Sequence, residues 1–192
     1  MRTTQSGPER ERAFSRGDLL VVLALILLLV AVQLPTFGTT QSGSQAGTCA
    51  NNLRRLVQAW NMYADDNGGR LAPNNGSDPN HPAGTWAAGW LDFSSSFDNI
   101  NADYLVNSER NGRYGLLGPY LKHDASVFKC PADRSRVTIF GRVQARVRSV
   151  SMNSWMGGSA YCGQTQFNVF RQLSEISRPE PAKAFVILDE RE

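Results

Sequence analysis

The sequence predicts an α+β chain. A long N-terminal α-helix, membrane anchor in its first half and amphipathic in its second, packs on a small antiparallel β-sheet with long irregular loops. Three observations lead there. Leu19 to Val32 reads LLVVLALILLLVAV, without a charge or a hydroxyl. From Cys49 the residues Leu53, Leu56, Val57, Trp60 and Ala64 recur at helical spacing. Val137 to Met152 alternates apolar with polar residues, the period of half-buried strands.

Composition narrows the classes further. The 192 residues carry 20 Lys+Arg against 17 Asp+Glu, with 41% hydrophobic residues, which suits one globular domain plus extras. This excludes disorder, collagen and a disulfide-dense miniprotein. A net charge of +3, dispersed along the chain, does not point to nucleic acid, because phosphate-tracking proteins concentrate Lys and Arg on one face.

The apolar block is fourteen residues long and is closed by Gln33-Leu34-Pro35. A bilayer span takes about 20 residues, so the block fits a signal-peptide core or a thin, assisted span. No small-residue cleavage pattern follows it. The polar leader before it carries Arg2, Arg10 and Arg12 and is expected to stay cytoplasmic. Asp18, at the start of the block, needs a partner in lipid, unless it only caps the helix from the headgroup region.

The run Ala13-Phe-Ser-Arg-Gly-Asp-Leu-Leu-Val-Val resembles the prepilin-type N-terminal motif of type IV pilins and type II secretion pseudopilins. In that family a prepilin peptidase cuts a short leader before Phe or Met, and the fifth mature residue is acidic. Counted from Phe14, the fifth residue is Asp18 and the twenty-second, where the family commonly has proline, is Pro35. Ala13 stands where Gly is commoner, Asp18 where Glu is usual, and Arg16-Gly17 where two apolar residues are expected. The resemblance implies cleavage between Ala13 and Phe14, methylation of the freed amino group, and an assembly role for Asp18 and Pro35. Its implied partners are the prepilin peptidase, other copies or related subunits in a filament, and the inner membrane. It places the chain as a single-pass inner-membrane protein with its C-terminal domain periplasmic or extracellular.

The expected organisation is then a leader at 1–13, a transmembrane and assembly helix at 14–37, a flexible or melted segment at 38–48 and a pilin-like globular domain at 49–192. Residues 38–48 hold three glycines and five hydroxyl residues, a composition that disfavours helix. The amphipathic helix after them stops at Asp65-Asp66-Asn67-Gly68-Gly69, and Trp60 and Tyr63 are read as core. Long irregular connections follow through Trp86, Trp90 and Phe93. In Val137 to Met152, Val143, Ala145 and Val147 are expected inside, with Arg142, Gln144, Arg146 and Arg148 in solvent. Leu173 to Ile176 reads as a short helix, and Ala184 to Leu188 as a buried strand. Phe128-Lys-Cys-Pro-Ala-Asp133, Ser149-Val-Ser-Met-Asn153 and the Cys49 and Tyr63 segments resemble the globular half of general secretion G-type pseudopilins. Those proteins continue with further sheet, so the resemblance implies a C-terminally truncated domain.

Cys49, Cys130 and Cys162 follow an anchor signal and so face an oxidising compartment. Cys49 opens a helix and Cys130 precedes Pro131, which favours a disulfide between them with Cys162 left over; three unpaired thiols stay open as an alternative. Cysteine spacing and the two histidines, His81 and His123, do not suit a metal. No cofactor is implied. Catalytic motifs are missing, so an enzyme is not expected, and a hydrolase using Asp65, Asp66 or Asp133 lacks a base or nucleophile. The acidic turn at Asp65-Asp66 lacks calcium-loop spacing. The competing function is an uncleaved, signal-anchored periplasmic domain that binds a ligand, such as a carbohydrate, through Trp86 and Trp90.

Overall fold

The computed structural model describes residues 16–33, 36–75, 84–108, 114–158 and 168–190. It is α+β, and the chain divides into two compact units, residues 1–42 and 43–192. The first unit contains α1, Arg16–Gln33, with Asp18 in its first turn. Helix α2, Thr36–Asp66, runs into the second.

The single long apolar N-terminal helix is not found. The helical residues fall in two elements, and among the described residues no helix is long and apolar enough to cross a membrane. The physical reason is length. At about 1.5 Å per residue the apolar block reaches about 21 Å, against a hydrocarbon core of about 30 Å. Residues 38–48 also differ from expectation, because they lie within α2. A glycine costs a helix only about 1 kcal/mol, and a helix already nucleated by the stronger residues 49–66 extends through such positions one hydrogen bond at a time.

In the second unit α2 presents the predicted stripe. Leu56, Ala59, Trp60 and Ala64 are buried, Leu53 and Tyr63 pack beside them, and Tyr63 meets Tyr120 edge-on at 6.2 Å. The helix ends where Gly69 N–H donates to Ala64 O (2.8 Å), with Gly68 and Gly69 at φ of 63° and 82°, a left-handed stop that glycine adopts without strain. Against the stripe sit Trp86, Val127, Phe128, Val150, Met152, Met156 and Ile187, and Trp86 stacks on Phe128 at 5.8 Å.

The strands form two separate two-stranded ladders where one small sheet was expected. β1 (Arg136–Ile139) pairs antiparallel with β2 (Arg142–Ala145) across the turn Phe140-Gly141, and β3 (Val150–Met152) pairs antiparallel with β4 (Ile187–Asp189). The predicted strand at 184–188 is thus shifted, with Ile187 buried and Phe185 exposed. The remaining chain is irregular, with single turns of helix such as α3 (Asp103–Val106) and Leu173–Glu175, the latter within the predicted short helix.

Candidate functional site

Two places carry the residues singled out by sequence. The first is α1. Ala13, Phe14 and Pro35 lie outside the described residues. Asp18 occupies the first helical turn, where a carboxylate faces the positive end of the helix dipole. Beyond it, the ten residues Leu19–Leu23 and Leu25–Leu29 are between 43% and 68% exposed, and they point in every direction around the axis. Such a cylinder has no polar face to give to water.

The second is the segment around the disulfide. Cys49 and Cys130 are bonded, with Cα atoms 4.8 Å apart. This is the expected pair; Cys162 lies outside the described residues. The bond is one strand of a clamp. Asn52, one turn along α2, donates to Lys129 O (3.1 Å), and Cys130 N–H donates to Ser149 Oγ (2.9 Å). Ser149 N–H reaches back to Phe128 O (2.9 Å), and its hydroxyl donates to Asp189 Oδ1 (2.8 Å). The Cys-Pro loop closes on itself as Asp133 N–H donates to Cys130 O (2.9 Å). Asp133 accepts from Ser135 N–H and Oγ (both 2.9 Å) with Lys129 Nζ at 3.8 Å. Every buried polar group named is satisfied, so the loop is fixed. The two sulfurs and an Asp189 oxygen lie within 4.8 Å of one another, but sulfurs joined in a disulfide are not thiolates and do not make this a metal centre.

The acids proposed for chemistry are not brought together. Asp66 ends α2 and accepts from Tyr120 Oη (2.9 Å), whereas Asp133 sits near Cys49, about 25 Å away along the helix. Burial and the Asp66 carboxylate push Tyr120 up to about 12. His123 uses Nδ1 on Val106 O (2.8 Å), and His81 lies outside the described residues. Of the two tryptophans suggested as a ligand platform, Trp86 is 2% exposed and donates from Nε1 to Asn74 Oδ1 (3.2 Å) while Trp90 is 53% exposed. They do not form a shared face for a ligand.

No family model, curated protein or solved structure matches this chain.

Arg146 and Arg148, which follow β2, are the clearest departure from the sequence reading, whereas Arg142 is exposed and Val147 packs against the core as expected. Val143 is 61% exposed and Ala145 is exposed, while Arg146 and Arg148 are buried. Arg146 donates from Nε to Ser135 Oγ (2.8 Å) and from Nη1 to Asp92 O (3.2 Å), and lies 4.2 Å over the Phe93 ring. Arg148 donates from Nη2 to Gly89 O (2.9 Å) above the Trp86 ring. Burial pulls its guanidinium down to about 10, against the pull of Glu190 and Asp98, and it stays charged at neutral pH. The irregular 84–99 segment has carbonyls that no ladder pairs, and long side chains with several donors satisfy them. One signal in the sequence pointed this way. Val150 and Met152 are in phase with Arg146 and Arg148, not with Val143 and Ala145, so the parity of the apolar positions switches after Val147.

Proposed function

We propose that the chain is a non-enzymatic structural subunit, a pilin-like or pseudopilin protein of a type IV pilus or type II secretion-type filament. It is processed by a prepilin peptidase between Ala13 and Phe14 and held in the inner membrane, with the disulfide-closed unit on the periplasmic or outer side. One observation carries the reading. From Leu19 to Leu29 helix α1 is apolar all round and uncovered. Covering ten such side chains is worth on the order of ten kcal/mol, and lipid together with the same helix of neighbouring copies supplies the cover. Being short for a span, the helix gains from packing in a bundle instead of crossing alone. The disulfide supports an oxidising compartment for the second unit.

Asp18 then has a defined task. Cleavage frees the Phe14 amino group, and a carboxylate one turn along the helix pairs with that amine on the adjacent copy, which sets axial register; a buried charge is tolerable when so paired. Two experiments test the reading. N-terminal sequencing of membrane-extracted protein is expected to start at Phe14, and a start at Met1 or beyond Pro35 overturns it. Asp18→Ala is expected to keep insertion and cleavage but to lose incorporation into sheared or cross-linked filaments. Asp18→Asn keeps capping and loses the charge, so filaments at the wild-type level from Asp18→Asn remove the ion pair from the account.

The ligand-binding alternative is weakened by Trp86, whose ring is spent in the core against Phe128.

A further inference from the structure

Hairpin β1–β2 has a tip that works against its own stability. Phe140 and Gly141 occupy its two-residue turn with φ of 50° and 73°, the left-handed pair that favours Asn-Gly and penalises an aromatic. Phe140 is also 88% exposed, so its ring returns nothing to the core. Glycine or asparagine there would make a better turn. A strained, exposed aromatic that the fold does not need points to a role outside the fold.

The surroundings give that role a chemistry. From Arg134 to Arg148 the chain contains no Asp or Glu. Arg134, Arg136 and Arg142 are exposed, and among the described residues none of them enters an ion pair. Val143 adds a second exposed apolar side chain, 61% exposed, directly after Arg142. The hairpin is therefore a finger with an aromatic tip and guanidinium flanks. Its root is fixed by the disulfide, since Cys130 is bonded to Cys49 and Asp133 N–H closes the connecting loop onto Cys130 O.

We propose that this hairpin docks on an anionic lipid surface, with Phe140 and Val143 entering the headgroup boundary and Arg134, Arg136 and Arg142 holding lipid phosphates. Three features favour lipid over an acidic protein. A protruding ring needs no matching pocket in a fluid interface. Guanidinium forks bind phosphate oxygens in pairs. The third rests on the functional reading above: a chain whose α1 is covered by lipid has phosphate headgroups at hand. Juxtamembrane cations gain from an anionic leaflet additively, so three arginines together supply about a hundredfold preference.

The full chain, mixed with vesicles of phosphatidylcholine alone or with about one third phosphatidylserine, is tested by flotation and by amide hydrogen exchange. Residues 139–143 are expected to exchange about tenfold more slowly on the anionic vesicles. Arg134→Gln/Arg136→Gln/Arg142→Gln abolishes the difference. Phe140→Gly reduces it while raising the melting midpoint, a combination that a purely structural phenylalanine cannot give. Equal exchange on both lipids overturns the proposal, as does protection that follows the protein-to-lipid ratio instead of lipid charge, which would assign the finger to a neighbouring copy or an acidic protein. Flotation separates the two readings. A chain that floats with both lipids but shows no charge-dependent protection loses the hairpin role and keeps the anchor. A chain that floats only with anionic vesicles, and only with the arginines present, keeps the hairpin role and loses the anchor. Flotation with neither loses both.

Discussion

Helix α1 and the second half of α2 both carry leucine, valine and alanine, unbroken in α1 and interleaved with polar residues in α2, and they present them in opposite ways. In α1 Leu25, Leu27 and Leu28 are 54%, 68% and 63% exposed, and charge appears only at its start. In α2 Leu56 is fully buried and Trp60 3% exposed, while Arg54, Gln58 and Asn61 alternate with them toward solvent or the unit's edge. Content and pattern together decide what covers a helix. A stripe can be closed by one core on one side, whereas a fully apolar cylinder needs cover from all sides. The same chain therefore holds one helix finished by its own fold and one that its described fold leaves unfinished.

Substitutions sharpen this contrast in descending size. Phe128→Ala, opposite the α2 stripe, should lower the unfolding free energy by about 4 kcal/mol, because Phe128 is fully buried against Trp86; denaturant unfolding of the oxidised chain measures it. Cys49→Ser/Cys130→Ser opens a loop with a sequence separation of 81 and should cost about 4 kcal/mol on the chain-entropy model, read in the same assay. Little change would mean that the Asn52, Ser149 and Asp189 hydrogen bonds hold the clamp alone. Tyr120→Phe should cost about 1 kcal/mol at neutral pH by removing the bond to Asp66. Its pH signature is more specific. Because the folded pKa is raised from 10.0 to about 12, the stabilisation is complete below pH 10 and is lost as the pH climbs to about 12, so the variant should show a flatter stability curve in that window. Leu25→Ala in α1 should leave the unfolding of the globular unit unchanged within about 0.5 kcal/mol while reducing membrane retention. A loss of several kcal/mol would break the comparison, since it would mean that α1 belongs to the core after all.

The sequence by itself determined the amphipathic half of α2, its stop signal and the disulfide. Those features are local or chemical: a 3.6-residue period, Asn67-Gly68-Gly69 supplying left-handed backbone, and two cysteines beside a helix start and a proline. Its reading of the N-terminal half was less complete, because glycines and hydroxyls at 38–48 weaken a helix without forbidding one that grows from a strong neighbour. Tertiary structure decided the face of β2, the splitting of the strands into two ladders and the fate of Trp86. A strand shows both faces in its alternation, and parity alone cannot say which side the core will take. Here the carbonyls of Gly89 and Asp92, which no ladder pairs, hold Arg148 and Arg146 inward, and Val143 and Ala145, on the opposite parity, face solvent. Those carbonyls come from a segment more than forty residues earlier in the chain, and no local rule in the sequence of β2 contains them.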